Sequence, residues 1–457
     1  MTALQVHPKM PPLVLASASC PRATCEAARP TLEIGLMMQG NSLLLEKLHF
    51  RCCIAGGGPA GMMLGFLLAR AGVEVLVLEK HADFLRDFRG DTVHPSTLET
   101  MHEVGLLEEF LKRPHQETTH VRARIGGDDI LLGNMSYLRT ACRFMVQMPQ
   151  WDFLDFLAQH GRRYPTFHLR MQAEVTGLVK VNGRIVGIRA KSPDGPLEVR
   201  ADLVVGADGR NSAVRERAGL TVENVGASID SFQLRLSKHA DDPKFMQYAD
   251  RGTALITMDR GDYWHCGFPV PKGTAEVMRA RGIEDFRTGI VELAPFLRDR
   301  VGELRDWNDV KLLTVRSDRL GQWYRPGLLC IGDAAHAMSP IGGVGINLAI
   351  QDAVAAANAL AEPLRDGTVT DEHLAKVQRR RALPTRLTQR MQGFLEKQMW
   401  RGLGKSKPMR LPWAMRLMES TTLPCRMRTR FVAVGFRLEH VKTPDIFSSR
   451  HHQTTNP

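Results

Sequence analysis

The chain has 457 residues, 43% of them hydrophobic and 24% charged, which is globular material for more than one core. The formal charge is +12, but residues 376–457 hold 18 Lys and Arg against 4 Asp and Glu, leaving the first 375 residues at −2. A nearly neutral body with its excess in one tail argues against a nucleic-acid partner, and no run of about 18 consecutive apolar residues marks a membrane span.

Residues 1–46 are rich in Pro, Ala and Ser without a sustained period. Pro11 and Pro12 break the short apolar stretch that imitates a secretory signal. This segment is expected to be a disordered or non-native extension. His49 to Ala55 is an apolar run that ends in glycines and reads as a buried parallel strand. Pro59 to Ala71 carries Met62, Met63, Leu64, Phe66, Leu67 and Leu68 on a helical pattern. Val73 to Leu78 is a second strand, closed by Glu79. Strand, glycine turn, helix and strand make one βαβ unit.

Thr119 to Gln147 reads as short strands, and Trp151 to His160 as a helix. Asn182-Gly183 joins two strands in a hairpin. Leu197 to Val205 is a strand, Ser228 to Phe268 and Lys311 to Arg316 are strand-rich, and Ile283 to Val301 is helical. Leu328 to Ile331 is a buried strand, followed by a helix over Gly345 to Leu364. Beyond Asp371 the pattern is helical and basic, with interruptions expected at Pro384, Pro408, Pro412 and Pro424.

The string Gly56-Gly57-Gly58-Pro59-Ala60-Gly61 fits GxGxxG in the right context, after a strand and at a helix start. Gly56 permits the tight turn, Gly58 lets backbone approach a pyrophosphate, and Gly61 allows close helix–strand packing, while the helix N-terminus faces the phosphate charge. Glu79, at the end of the second strand, is placed for a ribose, with Lys80 beside it. These residues alone leave FAD and NAD both open.

Two later segments carry a resemblance. Asp202-Leu-Val-Val-Gly-Ala-Asp208-Gly209-Arg210-Asn211-Ser212-Ala213-Val214-Arg215 looks like the DG motif of the group A flavoprotein monooxygenases, the para-hydroxybenzoate hydroxylase-like enzymes. Cys330-Ile331-Gly332-Asp333-Ala334-Ala335-His336, with Pro340, Gly342-Gly343, Gly345, Ile346, Asn347 and Asp352, looks like their GD motif. The resemblance covers residues 49–364. It implies that Asp333 binds the ribityl chain of FAD and that Asp208 supports the pyrophosphate region. Pro340, Gly343, Gly345, Ile346 and Asn347 would bring a helix N-terminus to the flavin ring. Arg89 and Gln147 fall where the family makes further cofactor contacts.

The fold class implied is α/β. A Rossmann-like FAD-binding domain (47–118, 144–222 and 311–366) is interrupted by a mixed β-sheet substrate domain (119–143 and 223–310). A basic helical region follows at 367–457. The family's reaction takes reducing equivalents from NADH or NADPH and inserts one atom of O2 through a flavin C4a-hydroperoxide. The expected function is therefore FAD-dependent hydroxylation or epoxidation of an aromatic or apolar organic substrate. An FAD-dependent reductase resembling geranylgeranyl reductases, and a non-catalytic flavoprotein, remain open. No side chain declares itself as a catalytic base, because Tyr248, Tyr263, Trp264, His265 and Cys266 fit a sheet core. The eight cysteines form no CxxC pair and no metal-ligand spacing, which suits a reducing cytoplasm and no metal. The tail is read as a cap whose arginines stay in water, with weak peripheral contact to an anionic membrane as the alternative.

Overall fold

The computed structural model describes residues 45–85, 92–244, 246–400 and 422–448. Arg89, nearly all of the N-terminal extension, and Pro408 and Pro412 in the tail lie outside the described residues.

Strand β1 (Glu46–Ala55) starts before the apolar run and ends at the glycine string. It pairs in parallel with β2 (Val75–Leu78) on one side and with the strand Gly195–Gly206 on the other. Leu328–Cys330 and Phe167–Arg170 extend the sheet in parallel at its two flanks. The hairpin Glu174–Val181 and Arg184–Ser192 folds antiparallel onto Gly195–Gly206. Such strands are covered on both faces, and Cys52 to Ala55, Val75 to Leu78 and Leu203 to Val205 are buried accordingly.

Helix α1 (Pro59–Arg70) crosses this sheet and is buried from Ala60 to Ala69. A helix apolar on all sides belongs inside the protein. A Cβ at Gly65 would stand 2.7 Å from Val77 Cγ2, so the helix rides close on β2. Helix α2 (Pro95–Glu103) packs on helix α3 (Gly345–Arg365), which in turn packs beside α1. Over α3 and the turn before it, composition and length would suit a membrane span, but the apolar window is 78% buried within the protein.

The second sheet has seven strands in the order Lys311–Leu313, Ile229–Ser237, Tyr263–Pro271, Thr253–Asp259, Gln247–Asp250, His120–Ile125 and Asp128–Asn134. One pair, Gln247–Asp250 with His120–Ile125, is parallel, so the sheet is mixed. Lys311–Leu313, expected to open the last FAD segment, instead pairs with Ile229–Ser237 and belongs here. Alternation sorts the side chains by face. Phe232, Leu234, Tyr248, Trp264, Cys266 and Phe268 pack against the helix Ile283–Leu293 as a separate core. Asp242 closes that core by accepting from Trp264 Nε1 at 2.7 Å and from Arg300 at 2.6 and 3.0 Å.

Helix α4 (Asp371–Trp400) runs through Pro384, contrary to the expected break. A proline removes one backbone donor and crowds the carbonyl four residues earlier. Here Pro384 is buried, and packing of α4 along α3 overrides the local preference. Helix α5 (Thr422–Ala433) lies against the strand Asp128–Asn134, where Arg428 donates to the Leu131 carbonyl at 2.7 Å.

Candidate active site

Two helix N-termini, from α1 and α3, and the turn after Gly206 converge on the carboxyl ends of the parallel strands. This is the position where open α/β sheets bind ligands. At the first helix, Gly56 has φ +104°, and a Cβ there would meet the Ala207 carbonyl at 2.4 Å. A Cβ on Gly61 would lie 2.0 Å from the Gly56 carbonyl oxygen. Gly58 caps the helix, with nothing within 4 Å of its would-be Cβ. Pro59 occupies the first turn, where its missing N–H costs nothing. Glu79 stands over this turn, accepting the Gly57 N–H at 2.9 Å and the His81 N–H at 3.1 Å. Lys80 is exposed beside it.

Asp208 shapes the second segment. Its carboxylate accepts from Ser212 Oγ at 2.5 Å and from the Val214 N–H at 3.1 Å. Burial pushes its pKa up, and the Ser212 and Val214 donors oppose that rise. Arg215, also buried, donates to Asp318 at 3.4 Å and to the Ala334 carbonyl at 3.3 Å. The DG and GD segments are thereby tied together.

In the third segment Gly332 has φ +59°, and its N–H donates to Asp352 Oδ2 at 3.1 Å. The next residue, Asp333, is half-buried and has no hydrogen-bond partner among the described residues. Asp352 also accepts from His336 Nε2 at 2.5 Å and from Arg381 Nε at 2.9 Å. Burial alone would raise the Asp352 pKa, but His336 and Arg381 outweigh it and hold the carboxyl below its ordinary value.

The loop before α3 is held from within. Asn347 Oδ1 accepts the His94 N–H at 2.9 Å and Thr97 Oγ1 at 2.7 Å, while its Nδ2 donates to the Gly343 carbonyl at 3.1 Å. Pro340 is exposed and Ile346 half-buried at the ends of this loop. Gly345 opens α3 with nothing within 4 Å of its would-be Cβ. Gln147 sits nearby, but its amide donates to Thr118 at 3.0 Å and accepts the Asp259 N–H at 2.7 Å, joining two sheets.

Three residues that sequence reasoning missed do much of this holding. His94 Nδ1 bonds the Val432 carbonyl at 3.0 Å, and Thr97 and Arg381 reach the motif side chains described above. His94 precedes Pro95 at a helix start, which was the one available signal. Burial lowers the His94 pKa to about 4, against the pull of its backbone acceptors. The unfolded chain protonates this imidazole below about 6.5, whereas the fold refuses the proton until about 4. The stability His94 contributes is complete above that upper value and falls by about 3 kcal/mol as pH drops through the window. Denaturant titrations at both ends of the window should show this loss, and His94→Gln should flatten it. An equal pH slope in that variant would refute the assignment.

Open space above two helix N-termini, a left-handed glycine turn and an unpartnered carboxylate at Asp333 fit FAD. A diphosphate suits the α1 terminus, and a polyol chain suits Asp333. Comparison with known proteins agrees. Residues 49–391 match the family model described as "FAD binding domain". The chain is 32% identical over 401 residues to 6-methylpretetramide 4-monooxygenase of Streptomyces rimosus, covering 87% of this chain and 95% of the relative. It is 26% identical over 327 residues to para-nitrophenol 4-monooxygenase of a Pseudomonas species, covering 69% and 79%. The crystal structure of p-nitrophenol 4-monooxygenase from Pseudomonas putida superposes with a TM-score of 0.70 at 20% identity, over 86% of this chain and 100% of that one. The protein thus belongs to the FAD-dependent aromatic monooxygenases of the para-hydroxybenzoate hydroxylase-like family.

Proposed function

We propose that this enzyme uses NADH or NADPH and O2 to hydroxylate a phenolic ring seated between the second sheet and the loop before α3. Bound FAD supplies the redox chemistry, taking electrons from the nicotinamide and activating O2. The protein's part is to seat both partners and keep water away. The N-termini of α1 and α3 offer unpaired backbone donors to the diphosphate and to the ring. Asp333 would hold the ribityl chain, Asp208 would fix the neighbouring turn, and Glu79 would hold the ribose.

The observation that carries the substrate reading is a buried polar row on the sheet face turned away from its helices. Gln233 Nε2 donates to Ser231 Oγ at 2.8 Å, and Gln233 Oε1 meets His265 Nε2 at 2.9 Å. Apolar side chains would serve packing better, so this row suits a hydroxylated ligand. The neighbouring strand Thr253–Asp259 of the same sheet reaches Thr92 through Asp259, whose N–H donates to Gln147, the register partner of Thr92. The loop before α3 reaches the same place, with Gly343 set against Thr92. Relatives named for para-nitrophenol and resorcinol support a phenolic ring. The test is oxygen uptake with NADH and NADPH over a panel of phenols and their methyl ethers. Phenol-stimulated uptake with a hydroxylated product is expected. Reduced-nicotinamide turnover of an alkene substrate, with no oxygen consumed, would favour the reductase reading instead.

A reducing, cytoplasmic setting is supported by six free, buried cysteines among the described residues. Contact with an anionic membrane is supported by the outer face of α4, where Leu383 and Phe394 are 60% and 61% exposed. Arg386, Arg390 and Lys397 are exposed on the same face. Each such cation adds about 1 kcal/mol near an anionic surface. Sedimentation at low salt with phosphatidylglycerol-containing vesicles, but not with pure phosphatidylcholine, is the expected result. No sedimentation with either would end this reading.

A further inference from the structure

The family match ends at residue 391, yet a later stretch is tied to the cofactor-binding segments at several points. The Glu439 carboxylate is 4% exposed and accepts from Arg380 Nε at 2.8 Å and from Arg381 Nη1 at 3.3 Å. Its backbone N–H donates to Gln351 on α3 at 2.5 Å. Arg381, fully buried, passes the connection to Asp352, whose other oxygen holds the Gly332 N–H beside Asp333. Three side chains, Glu439, Arg381 and Asp352, and the Gly332 amide therefore link this stretch to the residue assigned to the ribityl chain.

The stretch continues along the helices that surround the site. Asn358 on α3 donates to the His440 carbonyl and accepts the Lys442 N–H, both at 2.8 Å. Glu103, closing α2, accepts the Val441 N–H at 2.7 Å. Arg70, closing α1, donates to the Thr443 carbonyl at 2.7 Å, and its own carbonyl accepts the Ile446 N–H at 3.2 Å. Tyr164 donates to Asp445 at 3.0 Å. Beside Arg381, Gln351 and Asn347 lies a cavity of about 20 Å³. Arg381 Nη2 and Gln351 Nε2 are buried there without partners among the described residues. One water fits that volume and would accept from both.

We propose that residues 437–447 form a strap that retains FAD, with Glu439 as its positioning residue. The Asp352 carboxylate that fixes the Gly332 amide is the same one that Arg381 grips, and Glu439 sets Arg381. Loss of the Glu439 charge frees Arg381 to reorient and loosens the grip on the Gly332–Asp333 turn. Coupling of this kind is reciprocal: if the strap tightens FAD binding, FAD must tighten the strap.

The test combines FAD titration of apoprotein with hydrogen exchange of the peptide covering 437–447. Glu439→Gln is expected to weaken FAD binding about tenfold, within the usual range for coupled sites. Exchange in the strap should slow when FAD is added to the wild type and respond far less in the variant. Asp242→Asn, which breaks a buried ion pair in the second sheet, controls for general loss of stability and should leave FAD affinity within about twofold. If Glu439→Gln fails to fold, Asn358→Ala removes two strap contacts without touching a charge and should still weaken FAD about threefold. FAD affinity unchanged in both strap variants, or strap exchange indifferent to FAD in the wild type, would overturn the proposal.

Discussion

Gly61→Ala is expected to yield protein that purifies without its yellow colour. The added methyl would stand 2.0 Å from the Gly56 carbonyl oxygen, which is backbone and cannot swing aside. Helix α1 must then lift off the turn that presents its N-terminus to the diphosphate. Overpacking of this kind costs about 1–3 kcal/mol or more, and displacement of the diphosphate donors adds to it. FAD affinity should fall on the order of 100-fold, equivalent to about 3 kcal/mol. Gly58→Ala provides the contrast. Nothing lies within 4 Å of its new methyl, so the apoprotein should melt normally. The methyl nevertheless enters the space assigned to the pyrophosphate, so FAD should still bind poorly. Titration of the two apoproteins separates the effects. Normal FAD affinity in Gly58→Ala would place the diphosphate elsewhere.

Arg381→Met carries the largest expected loss of stability. Arg381 is fully buried and faces Asp352 and Glu439, which are 0% and 4% exposed. Removing the guanidinium leaves Asp352 to His336 and the Gly332 N–H, and Glu439 to Arg380, with the central cation of the buried network gone. Breaking a buried pair from one side costs about 3–5 kcal/mol. Arg386→Met, on the exposed side of the same helix, should stay within about 0.5 kcal/mol. Urea unfolding of the two variants at neutral pH makes the comparison. As pH falls through the lowered Asp352 value, its carboxylate is neutralised and the stability held by the wild-type pair is lost. The gap between wild type and Arg381→Met should narrow with it. Equal stability of Arg381→Met and Arg386→Met would refute the buried network.

These two sites also show what a sequence reveals and what it hides. The Gly56–Gly61 string was legible because backbone constraints at turns leave few residue choices. The DG and GD segments were legible through their resemblance to the motifs of a known family. The strand-rich run Ser228 to Phe268 foretold a sheet, but not which side chains would share a face, so His265 looked no different from Trp264. Arg381 was hidden inside a basic run that reads as a solvated face. Its partners lie 29 and 58 residues away, and only tertiary packing brings them together. The helix through Pro384 was misjudged because local preference weighs less than the packing of α4 on α3. Lys311–Leu313 was misplaced because a three-residue strand carries no sign of its partner.

The most direct test of the account is the origin of oxygen in the product. Purified enzyme with FAD, reduced nicotinamide and a turned-over phenol should be run under isotopically heavy dioxygen, with the product examined by mass spectrometry. One heavy oxygen atom per product, with an ether analogue left unhydroxylated, is the predicted result. Product oxygen drawn from water, or nicotinamide oxidation that leaves the phenol unchanged, would contradict it.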